Sequence, residues 1–243
     1  MDVLQDLGVQ SYCFRGFKGN EKVAELVKEC GLSKIELCAV HTDFTDDSVI
    51  DVYRNNGVDV VSIGVETFKG DEERETQLFE FAQKAGAKVI AADFAIDSVP
   101  AAFRTAEKLA DQYDINLAIH NHGGRHWLGA AATLAQVFAK TNERIGLCLD
   151  TAWALDSGED PIAMAETFAS RLYGIHIKDF VFDQARKPED VVCGQGNLDL
   201  DSLLQVMRNA NFTGPTILEY EGDVDNPVPA LKECVAAVEV AAA

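Results

Sequence analysis

The chain has 243 residues, 47% of them hydrophobic, and a formal net charge of −19. That length fits one domain of α/β-barrel size with an ample core. The acidic excess excludes a nucleic-acid or anionic-membrane surface, because phosphate binding needs clustered Lys and Arg, and it leaves a small-molecule partner.

Short β-type runs alternate with amphipathic helical patterns from one end to the other. In chain order the first half reads as strand Leu7–Tyr12, helix Asn20–Cys30, strand Lys34–Cys38, helix Asp46–Asn56, strand Val58–Ile63, helix Asp71–Ala85, strand Lys88–Ala92 and helix Pro100–Tyr113. The second half reads as strand Leu117–Asn121, helix Ala130–Lys140, strand Ile145–Asp150, helix Pro161–Ser170, strand Leu172–Lys178, helix Asp199–Asn209, strand Pro215–Tyr220 and helix Pro227–Ala241. Strand starts recur roughly every 25–30 residues, with one longer interval before the last, which is the period of a βα unit. Gly31, Gly57 and Gly86 each follow a helix, where a left-handed residue closes the last turn. Pro100 and Pro161 suit a first helical turn, and Asp199 suits an N-cap.

Eight such units without a linker predict a single (β/α)₈ TIM barrel spanning residues 1–243. An open doubly wound sheet is the alternative, but no Gly-rich fingerprint follows the first strand. Phe180–Asn197 is expected to be a long polar loop that could cover the barrel mouth. No apolar run is long enough for a membrane span, and the N-terminal MDVLQDLGVQ has no leader-like pattern. The six cysteines, Cys13, Cys30, Cys38, Cys148, Cys193 and Cys234, form no CxxC pair. They read as reduced thiols of a cytoplasmic protein.

Four apolar runs end on residues that can bind a metal: LAIHNHG, IGLCLDTAW, LYGIHIKDF and PTILEYEG. His120, His122, Asp150, His176 and Glu219 therefore fall at the C-terminal ends of predicted strands, where barrel enzymes build their sites. A converging set of this kind suits one divalent cation; its mixed nitrogen and oxygen donors admit Mn, Co, Mg, Fe or Zn, with Mn favoured. Taken alone, each residue has a plainer reading. A buried His can bond to backbone, Asp150 can cap the turn at Thr151, and Lys178–Asp179 can be a surface ion pair. His120 and His122 are expected on one side of their strand, with Asn121 on the other. His176 and Lys178 share a face, so Lys178 is a candidate to hold a substrate oxyanion or act as an acid. Glu219 is chosen over Glu221 as ligand and base, with Glu221 expected at the solvent side. Glu36, His41 and Glu66 are further candidates for substrate contacts, with Asp93 a weaker one. Tyr12 and Trp153 are candidates to stack on a sugar face.

With these residues in hand, the chain resembles the xylose-isomerase-like TIM barrel superfamily of sugar phosphate isomerases and epimerases. The resemblance rests on the IEL run with Glu36, the HNHG run, the LDT run with Asp150, HIKD with His176, GQGNLD and LEYEG with Glu219. It implies a metal held by a fifth-strand Glu, a sixth-strand Asp, a seventh-strand His and an eighth-strand Glu. The last three fall on Asp150, His176 and Glu219, while His120 stands where the family has Glu. Only Glu219 remains of the two glutamates that sugar 3-epimerases place on opposite faces of the substrate. Trp153 stands where many relatives have His. The endonuclease IV branch uses more metal ligands than this chain offers. The resemblance implies a metal-dependent isomerase or epimerase acting on a small carbohydrate: Glu219 or His122 takes a proton next to a carbonyl to give an enediolate, with Lys178 beside the developing charge. Elimination on keto-sugars or 3-keto-glycosides, as in a lyase or dehydratase, is the alternative, and an inactive sugar-binding barrel is the second. Relatives often associate, which leaves a homo-oligomer open.

Overall fold

The computed structural model describes residues 7–123 and 125–243. Its strands are β1 (Leu7–Gln10), β2 (Lys34–Leu37), β3 (Asp59–Phe68), β4 (Val89–Phe94), β5 (Asn116–His120), β6 (Ile145–Asp150), β7 (Leu172–Ile177), β8 (Asp179–Phe182), β9 (Pro188–Val191) and β10 (Thr216–Leu218). Eight of these close a parallel barrel in the order β1-β10-β7-β6-β5-β4-β3-β2, and β8 and β9 form a separate antiparallel ribbon. The helices are α1 (Asn20–Glu29), α2 (Ser48–Asn55), α3 (Glu72–Ala85), α4 (Ala101–Tyr113), α5 (Ala131–Phe138), α6 (Thr151–Asp156), α7 (Pro161–Thr167), α8 (Leu200–Asn209) and α9 (Val228–Ala242). Among the described residues no helix is long and apolar enough to cross a membrane. All six cysteines are unpaired and buried.

Alternation along each strand divides the core in two. Leu117, Ile119, Ile145, Leu147, Leu149, Ile175 and Ile177 face the helices and join the main hydrophobic cluster. Inside the barrel a smaller cluster of Val89, Ala91, Ala118 and Cys148 packs against Val65 and Tyr173. Small residues here are a steric requirement. A Cβ on Gly146 would lie 2.2 Å from the Arg171 carbonyl oxygen and 2.5 Å from the Tyr173 ring. Above this layer the interior turns polar.

The helix ends follow local signals. Gly31, Gly57 and Gly86 have φ of 82°, 71° and 87°. Asp160 accepts from the Ile162 amide at 2.9 Å and Asp199 from Ser202 at 3.0 Å. Pro161 opens α7, whereas Pro100 sits one residue before α4 as its cap. Two departures matter for the site. β1 stops at Gln10, and Ser11–Phe14 turns into a 3₁₀ helix capped by the Gln10 side chain. The expected loop Phe180–Asn197 contains the ribbon, with Phe180 paired to Asp190.

Asp179 anchors that ribbon. It is fully buried, and its carboxylate accepts from the amides of Gly194 at 3.0 Å, Gly196 at 2.8 Å, Asn197 at 2.8 Å and Leu198 at 2.9 Å. Burial raises its pKa against the four amides that lower it. Lys178 and Asp179 are thus not a surface pair. Gly196 is needed for close approach, since a Cβ there would come within 2.5 Å of Asp179 Oδ1. Asp179→Ala orphans the four amides; it is expected to cost about 3 kcal/mol, seen as a lower urea midpoint at unchanged slope.

Candidate metal centre

Strand register brings the polar layer together. Asp150 is the partner of His176 across β6 and β7, and His176 is the partner of Ile217 in β10. Glu219 follows one residue beyond β10, with its amide on the Ile177 carbonyl at 3.2 Å. His120 ends β5 beside Cys148. One ligand atom from each of His120, Asp150, His176 and Glu219 lies within 4.8 Å of the others. His176 Nδ1 stands 3.1 Å from His120 Nε2 and 2.7 Å from Glu219 Oε2. His120 Nε2 stands 3.5 Å from Asp150 Oδ2.

Asp150 serves two purposes. Its Oδ1 caps α6 by accepting from the Trp153 amide at 2.7 Å. Its Oδ2 is buried and accepts no hydrogen bond among the described residues. An orphaned buried carboxylate oxygen is costly, and a cation among these four groups would satisfy it. The donor set, two imidazoles and two carboxylates, fits a divalent metal. Asn121 lies off the cluster and closes a reciprocal pair with the Asp150 backbone at 2.9 and 2.8 Å, which fixes the β5 and β6 ends against each other.

Behind the cluster sits a further set of buried polar groups. His176 Nε2 is 2.9 Å from Glu36 Oε1. Glu36 is held by Gln10 at 2.6 Å and by Ser62 at 2.5 Å, its register neighbours in β1 and β3. The carboxylate fixes the His176 ring so that Nδ1 faces the cluster. Burial lowers the His176 pKa, but Cys148, Glu36 and Glu219 outweigh it and the net shift is upward. On the other side, Lys178 is fully buried and bonded to Glu221, with Glu219 Oε1 at 3.7 Å and Asp190 Oδ2 at 3.6 Å. Its ammonium lies 5.4 Å from the Trp153 ring centre and 5.6 Å from that of Phe180. Burial works against ionised Glu219, but Lys178 and His176 hold its pKa well below the usual carboxylate range. Burial pushes Asp190 up to about 7, against the pull of Lys178.

The cluster opens into a cavity of about 350 Å³ lined by Gln10, Tyr12, Cys38, Ala39, Val40, Gly64, Val65, His120, His122, Trp153, Glu219 and Glu221. His122 lies beyond β5 on its wall; burial first, then His120 and His126, lower its pKa to about 3, so the ring is neutral at working pH. Tyr12 and Trp153 both reach this cavity. Glu36 does not line it and stands behind Gln10, which does. Lys178 does not line it, and His41 and Glu66 are also absent from its walls. Glu66 pairs with Arg74 at 3.3 Å, and Asp93 with His126 at 3.4 Å. Glu221 is 27% exposed and faces Lys178. A depression of about 500 Å³ at the opposite mouth, around Lys34, Asp59 and Tyr173, lacks a converging ligand set. Gln10, Ser62 and Asp190 escaped the sequence reading. Period-two alternation with Glu36 could have found the first two, whereas Asp190 arrives only through the ribbon.

A family model described as xylose isomerase-like TIM barrel matches residues 24–239. The chain belongs to that family. The rhizopine catabolism protein MocC of Rhizobium meliloti is 27% identical over 138 residues, 51% of this chain and 42% of the relative. An inosose dehydratase of Clostridium beijerinckii is 26% identical over 139 residues, 49% of this chain and 46% of the relative. The matches thus span less than half the length of these curated relatives. In fold, the chain is similar to 3-keto-D-glucoside 4-epimerase from E. coli, with TM-score 0.75 at 15% identity over 97% of this chain and 99% of that one. It is also similar to the IolI protein with a bound zinc atom, with TM-score 0.71 at 16% identity over 98% of each chain. Within this xylose isomerase-like barrel, Glu36→Gln is expected to weaken divalent-metal affinity about 10–100-fold with the fold retained. Competition against a chromophoric chelator reads this directly, and unchanged affinity would show that Glu36 does not set the His176 ring.

Proposed function

We propose that the chain is a divalent-metal-dependent enzyme that moves a proton next to the carbonyl of a keto sugar, as an isomerase or epimerase. The observation that carries this reading is the position of Glu219. One of its oxygens is in the four-residue cluster, 2.7 Å from His176 Nδ1, and the other stands 3.7 Å from the Lys178 ammonium, while the residue lines the cavity. His120, Asp150, His176 and Glu219 would hold the cation, which when bound supplies a Lewis acid beside substrate oxygens.

The chain's own residues do the rest. Glu219, kept ionised by Lys178 and His176, accepts the proton from the carbon next to the carbonyl and leaves an enediolate. Neutral His122, on another part of the wall, can accept or return a proton at a second position. Tyr12 and Trp153 present aromatic surface to the sugar face. Lys178 acts through the carboxylates it touches, because its Nζ is spent on Glu221, Glu219 and Asp190.

A second reading, elimination of water from a keto-sugar, is favoured by one observation: the sequence relatives include inosose dehydratases. Incubation of the metal-loaded protein with keto sugars in D₂O separates the two. Deuterium gained without loss of water supports isomerisation, and an absorbing enone with loss of water supports elimination. Chelation is expected to abolish either reaction and Mn²⁺ to restore it. Glu219→Gln, compared at matched metal content, is expected to slow exchange about 10²–10⁴-fold. Undiminished exchange would remove Glu219 from the role of base.

A further inference from the structure

The charge of the substrate is written into the cavity wall. Its lining offers Gln10, Tyr12, two imidazoles and two carboxylates, and among the described residues no Lys or Arg. The ammonium nearest to it, Lys178, is fully buried behind Glu219 and Glu221 and engaged by Asp190 as well. Arg15 near the rim is also committed. Its two terminal nitrogens donate to the Tyr12 and Glu221 carbonyls at 3.1 and 2.8 Å, and its guanidinium lies 4.6 Å from the Tyr12 ring centre. Arg125 lines the neighbouring cavity together with Asp156, on the far side of His122 and Trp153.

The wall is also acidic in depth. Glu36, Asp150, Glu219 and Glu221 stand in or behind it, and the cations that meet them, the Lys178 ammonium and the Arg15 guanidinium, are both already engaged by protein groups. The whole chain adds to that field with a net charge of −19, which lowers the local concentration of anions. A phosphate or carboxylate on the substrate would meet Glu219 and Glu221 with no Lys or Arg of the described lining to pair with. An uncharged polyhydroxy ketone would meet hydrogen-bond partners and aromatic faces.

On these grounds, and resting on the reading of the site as a keto-sugar enzyme, we propose that it selects uncharged keto sugars or cyclic polyol ketones and rejects phosphorylated and acidic ones. The test uses matched probes with the metal-loaded protein. D-fructose is compared with D-fructose 6-phosphate, and D-tagatose with D-tagatose 6-phosphate; scyllo-inosose and 5-keto-D-gluconate extend the neutral and acidic series. Deuterium incorporation is read by mass spectrometry, and binding is read by tryptophan fluorescence, because Trp153 lines the cavity. Neutral probes are expected to exceed charged ones about tenfold or more in kcat/KM or affinity. Equal or better use of a charged probe overturns the inference and leaves the keto-sugar reading standing; if Arg125→Ala then abolishes that use, the anion sits in the neighbouring cavity. Absence of exchange with every probe removes the enzymatic reading, and the binding series still decides the inference: preference for neutral probes supports it, and preference for charged probes, or binding of neither, overturns it. Val40→Lys places an ammonium at the cavity rim, where Val40 is 49% exposed. It is expected to raise affinity for the phosphorylated probes about tenfold; no gain would show that charge is not what excludes them.

Discussion

The structure turns on a buried run of charge that passes from Glu36 through His176 and Glu219 to Lys178 and Glu221. Such groups are expensive to remove from water and persist only when each is met by partners on more than one side. Here β1, β2 and β3 supply the Gln10, Glu36 and Ser62 end, β7 supplies His176 with Lys178 directly after it, and the segment after β10 supplies Glu219 and Glu221. The run therefore joins strands that are distant in sequence, and it can form only if the barrel closes in the right register. A slip of one residue in β7 would send His176 and Lys178 toward the helices and leave both carboxylate groups unmatched.

That constraint explains the grading of the barrel interior. The lower layer is built from small residues such as Ala91, Ala118 and Cys148, with Gly146 giving way to the Tyr173 ring. The upper layer holds the polar run and, beside it, the one cluster of metal-binding type found among the described residues. The ribbon of β8 and β9 completes the arrangement from above. Asp179 pins its base through four amides, and Asp190 on its return strand meets Lys178. The ribbon thus joins the electrostatics of the site while its tip at Asp183–Lys187 stays exposed.

How much of this was legible beforehand depended on the range of the signal. The barrel was legible because period-two runs, capping Asp residues and left-handed glycines act within a few residues of one another. His120, Asp150, His176 and Glu219 were legible because each ends an apolar run, and parallel closure then leaves them at one mouth. Asp150 carries the cap that its plainer reading gave it, through one oxygen on the Trp153 amide, while its other oxygen faces the cluster. The ribbon was not legible, because its apolar run Phe180–Phe182 is only three residues long, its return strand Pro188–Val191 is mostly polar, and its base is set by Asp179 contacts with Gly194–Leu198. The distinction between Glu36, which touches His176, and Glu66, which turns to Arg74, was equally out of reach.

By itself, then, the amino-acid order determined the eight βα units, the placement at strand ends of side chains able to bind a metal and the acidic character of the whole chain, because these depend on local periodicity and composition. Only the tertiary structure decided which groups touch. It put Lys178 behind the carboxylates instead of in the cavity, left Asp150 Oδ2 without a donor among the described residues, and committed Arg15 to backbone carbonyls. Those outcomes depend on register, closure and burial, which are properties of contacts between distant strands and have no local trace in the sequence.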